Sequence, residues 1–518
     1  MNVLKNFLAG PNGRSALLFF VQNQTKIMRQ NTIKLFAAFA FLFVSQWAFS
    51  QTYTEILQYS LTEVDGSART VGAGGAISAL GADFGAITQN PAGLGRFRRS
   101  EFNITIGLDK TNADATFGNN TINTAKSYMQ LPNLGMVLTS SPKNIRWKTM
   151  NFSLGYNRQI SYNRNFFFEG EGQGSLVDKF VDDAQGYDSG SLDLYGAGLA
   201  QNVSAIYDDN NDLNYESDFA GVTDTFYHSQ KVSEKGNMGE LTIALAGKYE
   251  DKLAVGLSAG VALIDFRKEK IYAEEDKNET IEYFDKLRYE ESLTTSGTGL
   301  NVKLGLIYKI NPTVRAGLAV HSPTWVSLSD SYSYTMAYQY TDANGTSAKE
   351  DTPDDGVFDY KVKTPWRAIG SVGAIIGRKG FISADVEMVD YTKGAFNLTS
   401  DLKTEETRQL EKELNKSIDT SFQQTFNFRV GGEYAHNSLR FRAGLGLYGS
   451  PINGDDALKK VYSVGAGYRQ TGFFVDLAYR LSQGKEGYSP FAGNYLKPNG
   501  AVLNTKKSTI SLTLGIQF

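Results

Sequence analysis

The sequence predicts an all-β fold: a transmembrane antiparallel β-barrel of about 14 strands with an amino-terminal hatch plugging its lumen. The last nine residues, Ile510 to Phe518, alternate apolar and polar side chains and stop on an aromatic. A strand with one greasy and one polar face suits lipid outside and a polar lumen inside. From about residue 100 onward, period-2 segments recur between turn signals, and no stretch sustains the 3.6-residue period of a long core helix. At the other end the chain carries the form of a secretory signal.

That signal comes first in the chain. Met28-Arg29 and Lys34 precede the apolar run Leu35 to Val44, followed by Ala48-Phe49-Ser50, a small-x-small cleavage pattern. The run is about half of the roughly 20 apolar residues that a membrane-spanning helix needs. Residues 1–50 are therefore assigned as leader and signal peptide, with Met28 as the true start and cleavage before Gln51. This segment holds five basic residues (Lys5, Arg14, Lys26, Arg29 and Lys34) and no acidic ones. The remainder keeps 47 of the 52 basic residues against 55 acidic ones, a net charge of -8 that disfavours nucleic acid as a partner.

Composition agrees. The absence of cysteine removes thiolate catalysis, disulfides and thiolate-bound metals. The 28 tyrosines and 32 phenylalanines supply the aromatic girdles that barrels place at both membrane interfaces.

Residues 51–100 are rich in glycine and alanine and lack alternation, so they are expected to fold inward as the hatch, leaving 101–518 as the barrel. Alternation is clearest where Leu253, Val255, Leu257, Ala259, Val261 and Leu263 oppose small residues, and where Phe473, Val475, Leu477, Tyr479 and Leu481 oppose Asp476, Ala478 and Arg480. The apolar set of each should face lipid. Short connections such as Glu250-Asp251-Lys252 and Asn311-Pro312 alternate with long polar stretches at 165–237, 271–293, 330–362, 393–421 and 484–506, which read as extracellular loops. Residues 401–417, rich in Glu, Lys and Leu, read as a short surface helix.

Chemical motifs do not survive inspection. Gly72-x-Gly74 lacks the third glycine and the preceding buried strand of a dinucleotide loop. Gly256-Leu257-Ser258-Ala259-Gly260 matches a hydrolase elbow on paper, yet it sits inside strand alternation instead of at a strand-turn-helix corner. His228, His321 and His436 form no compact metal motif. The acidic runs Asp208 to Asp212 and Asp351 to Gly356 lack the full spacing of a calcium loop. No catalytic residue, metal or cofactor is expected. Strand phase turns Arg315, Asp385, Glu387, Arg429, Glu433, Arg440, Arg442, Asp476 and Arg480 toward the lumen. Arg315, Arg429, Arg440, Arg442 and Arg480 are candidates for a carboxylate-guiding path, against the plainer reading that mixed charges pair to fill the interior.

Asn90-Pro91-Ala92, with the small-residue stretch Gly66 to Gly81 before it, resembles the hatch motif of the FadL/TodX-type outer-membrane transporters of long-chain fatty acids and other hydrophobic compounds. Thr364-Pro365-Trp366, the Ser450-Pro451 loop and terminal Phe518 support the likeness; the long acidic 165–237 loop departs from it. The resemblance implies a Gram-negative outer-membrane location, a hydrophobic small-molecule substrate, surrounding outer-membrane lipid, and barrel-assembly machinery engaging the carboxy-terminal strand. It also implies a hatch that shifts and a lateral exit at a distorted third strand, for which Gly155 is the candidate kink. A barrel of the same type serving as cargo shuttle in protein secretion is the alternative.

Overall fold

The computed structural model describes residues 55–142, 146–377, 379–398, 405–491, 495–497 and 500–518. The leader, its cleavage site and the start of the hatch segment lie outside these residues. Nineteen strands form one closed antiparallel sheet: β1 (Glu101–Phe117), β2 (Asn120–Ser140), β3 (Trp147–Ser161), β4 (Arg164–Gly172), β5 (Phe226–Tyr249), β6 (Leu253–Glu275), β7 (Phe284–Lys309), β8 (Val314–His321), β9 (Trp325–Asp342), β10 (Gly345–Asp351), β11 (Gly356–Lys363), β12 (Arg367–Ile375), β13 (Gly380–Asp390), β14 (Ala395–Asn397), β15 (Gln424–His436), β16 (Leu439–Gly449), β17 (Leu458–Arg469), β18 (Phe473–Tyr488) and β19 (Ala501–Gln517). Several are successive pieces of one stave, β3 with β4, β8 with β9, β10 with β11 and β12, and β13 with β14, so the barrel has 14 staves. β1 closes it by pairing with β19, from Glu101 opposite Gln517 to Thr116 opposite Val502. Closure removes the sheet edges that lipid cannot hydrate.

The alternation read in the sequence is the alternation of the wall. In β19, Ile510, Leu512, Leu514 and Ile516 are exposed on the outside, while Thr509, Ser511 and Thr513 are fully buried within. In β6, Val255, Leu257, Val261 and Leu263 point out and Ala254, Ser258 and Ala262 point in. This places Ser258 in an unbroken ladder with Ala244 and Lys303 on either side, in no nucleophile elbow.

The staves reach further than the sequence suggests at the long-loop end. β5 begins at Phe226, not near 238, and β9, β10 and β11 occupy most of the stretch read as the 330–362 loop. Above the membrane both faces are polar, as in Gln230, Lys231, Ser233 and Glu234, so hydropathy contrast vanishes although the hydrogen-bond ladder continues. The surface helix spans Glu405–Ser421 and packs Leu414 and Ile418 against Tyr391, Phe396 and Phe422.

Several staves break at a common level. Pro323 separates β8 from β9, and Pro365 separates β11 from β12; neither proline can donate to a ladder. Thr324 and Thr364 stitch these neighbouring breaks: the Thr364 N–H donates to the Thr324 carbonyl at 3.0 Å and the Thr324 N–H to the Thr364 hydroxyl at 2.9 Å. Over the far end lies a cap built largely from residues 173–225, with its own core including Val177, Phe180, Leu199, Ile206 and Phe219 against Phe284, Met336 and Tyr338 of the wall. Ser175 caps its first helix, Leu176–Ala184, through a reciprocal capping box with Asp178.

Candidate functional site: the inward-folded segment and a break in the wall

Residues 55–97 fold inside the barrel as short helical turns joined by tight bends. The turn Ala68–Gly72 starts at Ser67, Phe84–Ile87 at Asp83, and the 3-10 turn Pro91–Arg96 at Asn90, each with a side-chain cap. Asp83 is the hub. Its carboxylate accepts Ser67 Oγ and Thr70 Oγ1, both at 2.6 Å, and the Gly85 N–H at 2.9 Å.

The Asn-Pro-Ala motif is where this segment meets the wall. Asn90 Oδ1 accepts the Ala92 N–H at 3.1 Å, and its Nδ2 donates to the carbonyls of Ser78 at 3.1 Å and Leu306 at 3.2 Å. Pro91 opens the turn with its φ pre-set and no N–H to satisfy. Two wall glycines leave the space: a Cβ at Gly256 would collide with the Pro91 and Ala92 backbone, and one at Gly305 with the Asn90 amide. The first glycine of the Gly-x-Ser-x-Gly pattern is thus a seat for Pro91.

Gly155 has a similar role. Its ladder to Gly135 and Thr242 is continuous, and a Cβ there would meet the Phe84 ring; the irregularities in this stave fall on either side, between Trp147 and Thr149 and between Arg158 and Ile160.

Charges pin the segment in three networks. Glu63 and Asp65 join Asp109, Arg158, Arg480 and Lys507 in a closed ring: Lys507 lies 2.9 Å from Glu63 and 3.6 Å from Asp109, Arg158 is 3.4 Å from Asp109 and bonded to Asp65, and Arg480 is 3.6 Å from Glu63 and 4.0 Å from Asp65. Arg429 pairs with Glu387 at 2.7 Å, and Arg367 Nη1 pairs with Glu387 at 2.8 Å and donates to Thr62 Oγ1 at 2.9 Å, while its Nη2 donates to the Ser60 carbonyl. Arg69 and Arg442 share Glu433 at 3.2 and 2.7 Å, and Arg442 also reaches Asp476 at 2.7 Å. Three of the five arginines proposed as a ligand path, Arg429, Arg442 and Arg480, are therefore in the lumen and paired with carboxylates. Arg440 is elsewhere, donating to the Asn437 and Leu439 carbonyls of its own hairpin turn. Arg315 is inside, near the short-turn end, and makes no ion pair among the described residues. Sequence reasoning did not single out Arg158, Arg367 or Lys507, nor the Lys303–Glu240 pair.

With the segment in place, a polar pocket of about 80 Å³ lies between it and the wall, lined among others by Gln89, Glu240, Lys303, His321 and Arg367. A groove of about 820 Å³ bordered by Leu263, Asp265, Thr298, Ser327 and Ser329 lies on the outer surface instead. Apolar lumen begins above the polar layer, where Ile56, Leu57 and Tyr59 pack with Val326, Leu328, Val362 and Phe396.

The wall itself is interrupted. β2 pairs with β3 only from Asn133–Asn157 to Ser140–Met150. Beyond Asn157, residues 120–132 of β2 and the facing pieces of β3 and β4 share no backbone register among the described residues. Pro132 sits at the parting point. Side chains bridge the break: Asn120 Nδ2 donates to the Glu169 carbonyl at 3.0 Å, Lys126 Nζ to Asn165 Oδ1 at 3.0 Å, and Tyr128 Oη meets Ser161 Oγ at 2.6 Å. Met129, three-quarters exposed, flanks it on the lipid side.

The histidines serve separate partners, His228 facing Tyr272 and His321 the Gln89 carbonyl. Among the described residues no His, Asp or Glu group is arranged to hold a metal. Asp208 spends its carboxylate on the Asp212 and Leu213 N–H groups.

The closed 14-stave barrel is similar in fold to solved FadL-type channels. A FadL homologue from Pseudomonas aeruginosa aligns over 89% of this chain and 100% of its own, at 13% identity and a TM-score of 0.50. A TodX monoaromatic hydrocarbon channel variant aligns over 87% and 98%, at 12% identity and 0.51. The toluene transporter TodX of Pseudomonas putida covers 88% and 99%, at 13% identity and 0.49. No family model matches the sequence, and no curated protein matches it significantly.

Proposed function

We propose that this chain is a channel of the Gram-negative outer membrane that passes hydrophobic or amphipathic small molecules, long-chain fatty acids or hydrocarbons, inward without energy coupling. In this reading residues 51–100 are the gate and Asn90, Pro91 and Ala92 are its hinge on the wall. The observation that carries it is the break between β2 and the β3–β4 stave. The break starts at Pro132, where Met129 and Leu131 are exposed on the outer face; unpaired backbone facing lipid costs several kcal/mol per group, so a barrel that opens its ladder at this apolar end and patches it with side chains is using the opening. A greasy molecule leaving sideways there enters lipid directly and is never fully hydrated. The space beside the seated gate is far too small for such a molecule, so passage requires the gate to move. The similarity to a TodX monoaromatic hydrocarbon channel supports the substrate class.

The test exploits the absence of cysteine. Lys126→Cys and Asn165→Cys, joined by a short bis-maleimide, should stop uptake of a fluorescent long-chain fatty acid into cells while leaving heat-modifiable migration of the barrel intact. Uptake unchanged in the cross-linked protein refutes lateral exit.

The acidic cap favours a second reading, a shuttle for secreted proteins. Residues 173–225 carry eleven acidic residues and one basic residue, a large surface suited to protein cargo. A stable protein co-purifying in place of bound lipid would favour it.

A further inference from the structure

β10 and β11 pair with β9 along one side, with Asp351 opposite Met336 and Gly356 opposite Tyr332. Along the other side β11 meets β14 only over Lys361, Val362 and Lys363, and the next element after Asn397 is the helix Glu405–Ser421, not a strand. Among the described residues, the backbone from Gly345 to Tyr360 is therefore a free strand edge at the long-loop end.

Charged side chains blunt most of this edge, as they do on exposed edges generally. Between Gly356 and Tyr360 it is also apolar. Val357 is 69% and Phe358 46% exposed, on opposite faces of β11, and the Phe358 ring is held by stacking on Tyr360 at 5.5 Å between centroids. The outer-surface groove of about 820 Å³ reaches the same place: Asp359 and Lys361 line it, as does Asn397 across the last rung. A strand laid beside Gly356 to Tyr360 would continue the line of β14 along the rim of that groove. Unpaired backbone, exposed apolar side chains and a groove at one place define a surface for strand addition.

Charge selects the occupant. Residues 350–359 hold Glu350, Asp351, Asp354, Asp355 and Asp359 and no basic residue. A second copy docked edge to edge about a twofold axis would set these carboxylates against their own counterparts, and like charges facing across a ladder are destabilising. A basic segment meets them with opposite charge.

We propose that the free edge of β11 docks a basic, extended peptide segment of a partner protein by strand addition. The segment's backbone completes the ladder, its lysine or arginine side chains meet the acidic rim, and alternate side chains enter the groove. The inference stands independently of the transport reading.

A fluorescein-labelled peptide of about nine residues, alternating lysine and valine, is long enough to span Gly356 to Tyr360 at about 3.3 Å per residue. Titrated with the full barrel in maltoside detergent, it should bind by anisotropy and slow hydrogen exchange at residues 356–360. The same peptide methylated on its backbone nitrogens keeps every lysine and cannot donate to a ladder, so it should not bind. A glutamate–valine peptide should not bind either. Val357→Lys with Asp359→Lys, both at exposed positions, should weaken the lysine peptide about tenfold in a barrel whose heat-modifiable migration is unaltered. Wild-type protein that does not bind the lysine peptide overturns the proposal, as does equal binding of the methylated or the glutamate peptide. Binding that survives undiminished in the double variant lies on the acidic cap instead and overturns it too.

Discussion

Asn90 Nδ2 donates to the carbonyl of Leu306, 216 residues further along the chain, at 3.2 Å. One side chain thus caps a turn of the plug and ties that turn to β7. Asn90→Ala removes the cap, the bond to Ser78 within the plug and the bond to Leu306 of the wall, a loss of about 0.5–2 kcal/mol for the cap alone. Hydrogen exchange over residues 78–96 should rise while the wall strands keep their protection; equal protection in both proteins would contradict the assigned seat.

Gly305→Val tests the same seat from the wall. The added carbons occupy the space of the Asn90 amide, and overpacking of this kind costs about 1–3 kcal/mol. The expected result is a barrel that assembles with a displaced plug, read as new protease cleavage between residues 55 and 97. Cleavage identical to wild type would rule this out.

Arg158→Leu leaves Asp65 and Asp109 facing each other with one cation fewer. Breaking a buried pair from one side costs roughly 3–5 kcal/mol. The heat-modifiability midpoint in detergent should fall clearly, and Asp65→Asn in the same protein should restore part of the loss because the stranded charge is gone.

Removing Phe518 should impair assembly without affecting transport by molecules that do fold. Its N–H closes the last ladder bond, to the Ser100 carbonyl at 3.0 Å, and its ring is 67% exposed at the lipid-facing rim. The folded fraction in isolated membranes measures this; full assembly of the truncated chain would remove the terminal residue from any role in recognition by the assembly machinery.

The cap should tighten in acid. Burial pushes the carboxyls of Asp178, Asp193 and Asp218 above the usual range, outweighing the Ser175 N–H at Asp178 and the Tyr338 hydroxyl at Asp218. A raised folded-state pKa means the folded cap holds more protons, so its stability is full below about pH 4, the unfolded carboxylate range, and falls as pH rises through the raised values. Limited proteolysis within 173–225 should be slower at pH 4.5 than at pH 8; the reverse order would show that opposing groups dominate.

Alternation over residues 253–263, 473–481 and 510–518 was legible because inside and outside differ in polarity there. Residues 226–237 and 330–363 were not, since both faces meet water. Arg158 escaped because the irregularity between Arg158 and Ile160 shifts strand phase, and phase was the only guide to direction. The inward fold of residues 55–97 could be read from small-residue content, whereas the pairing of Gly256 with Pro91 or Gly305 with Asn90 spans too much chain for any local pattern to reveal. Arg440 was misplaced because a lumen-facing phase says nothing of depth: it sits at the turn, where its own carbonyls are nearest.

The breaks at Pro323 and Pro365, on neighbouring staves at one level, divide the barrel mechanically. A hydrogen-bonded ladder carries load along its length, and at this level the load between the two staves passes through the Thr324–Thr364 pair alone. At this level two neighbouring staves change from one rod into two, while β5 to β7 run past it unbroken and hold β9 along its length.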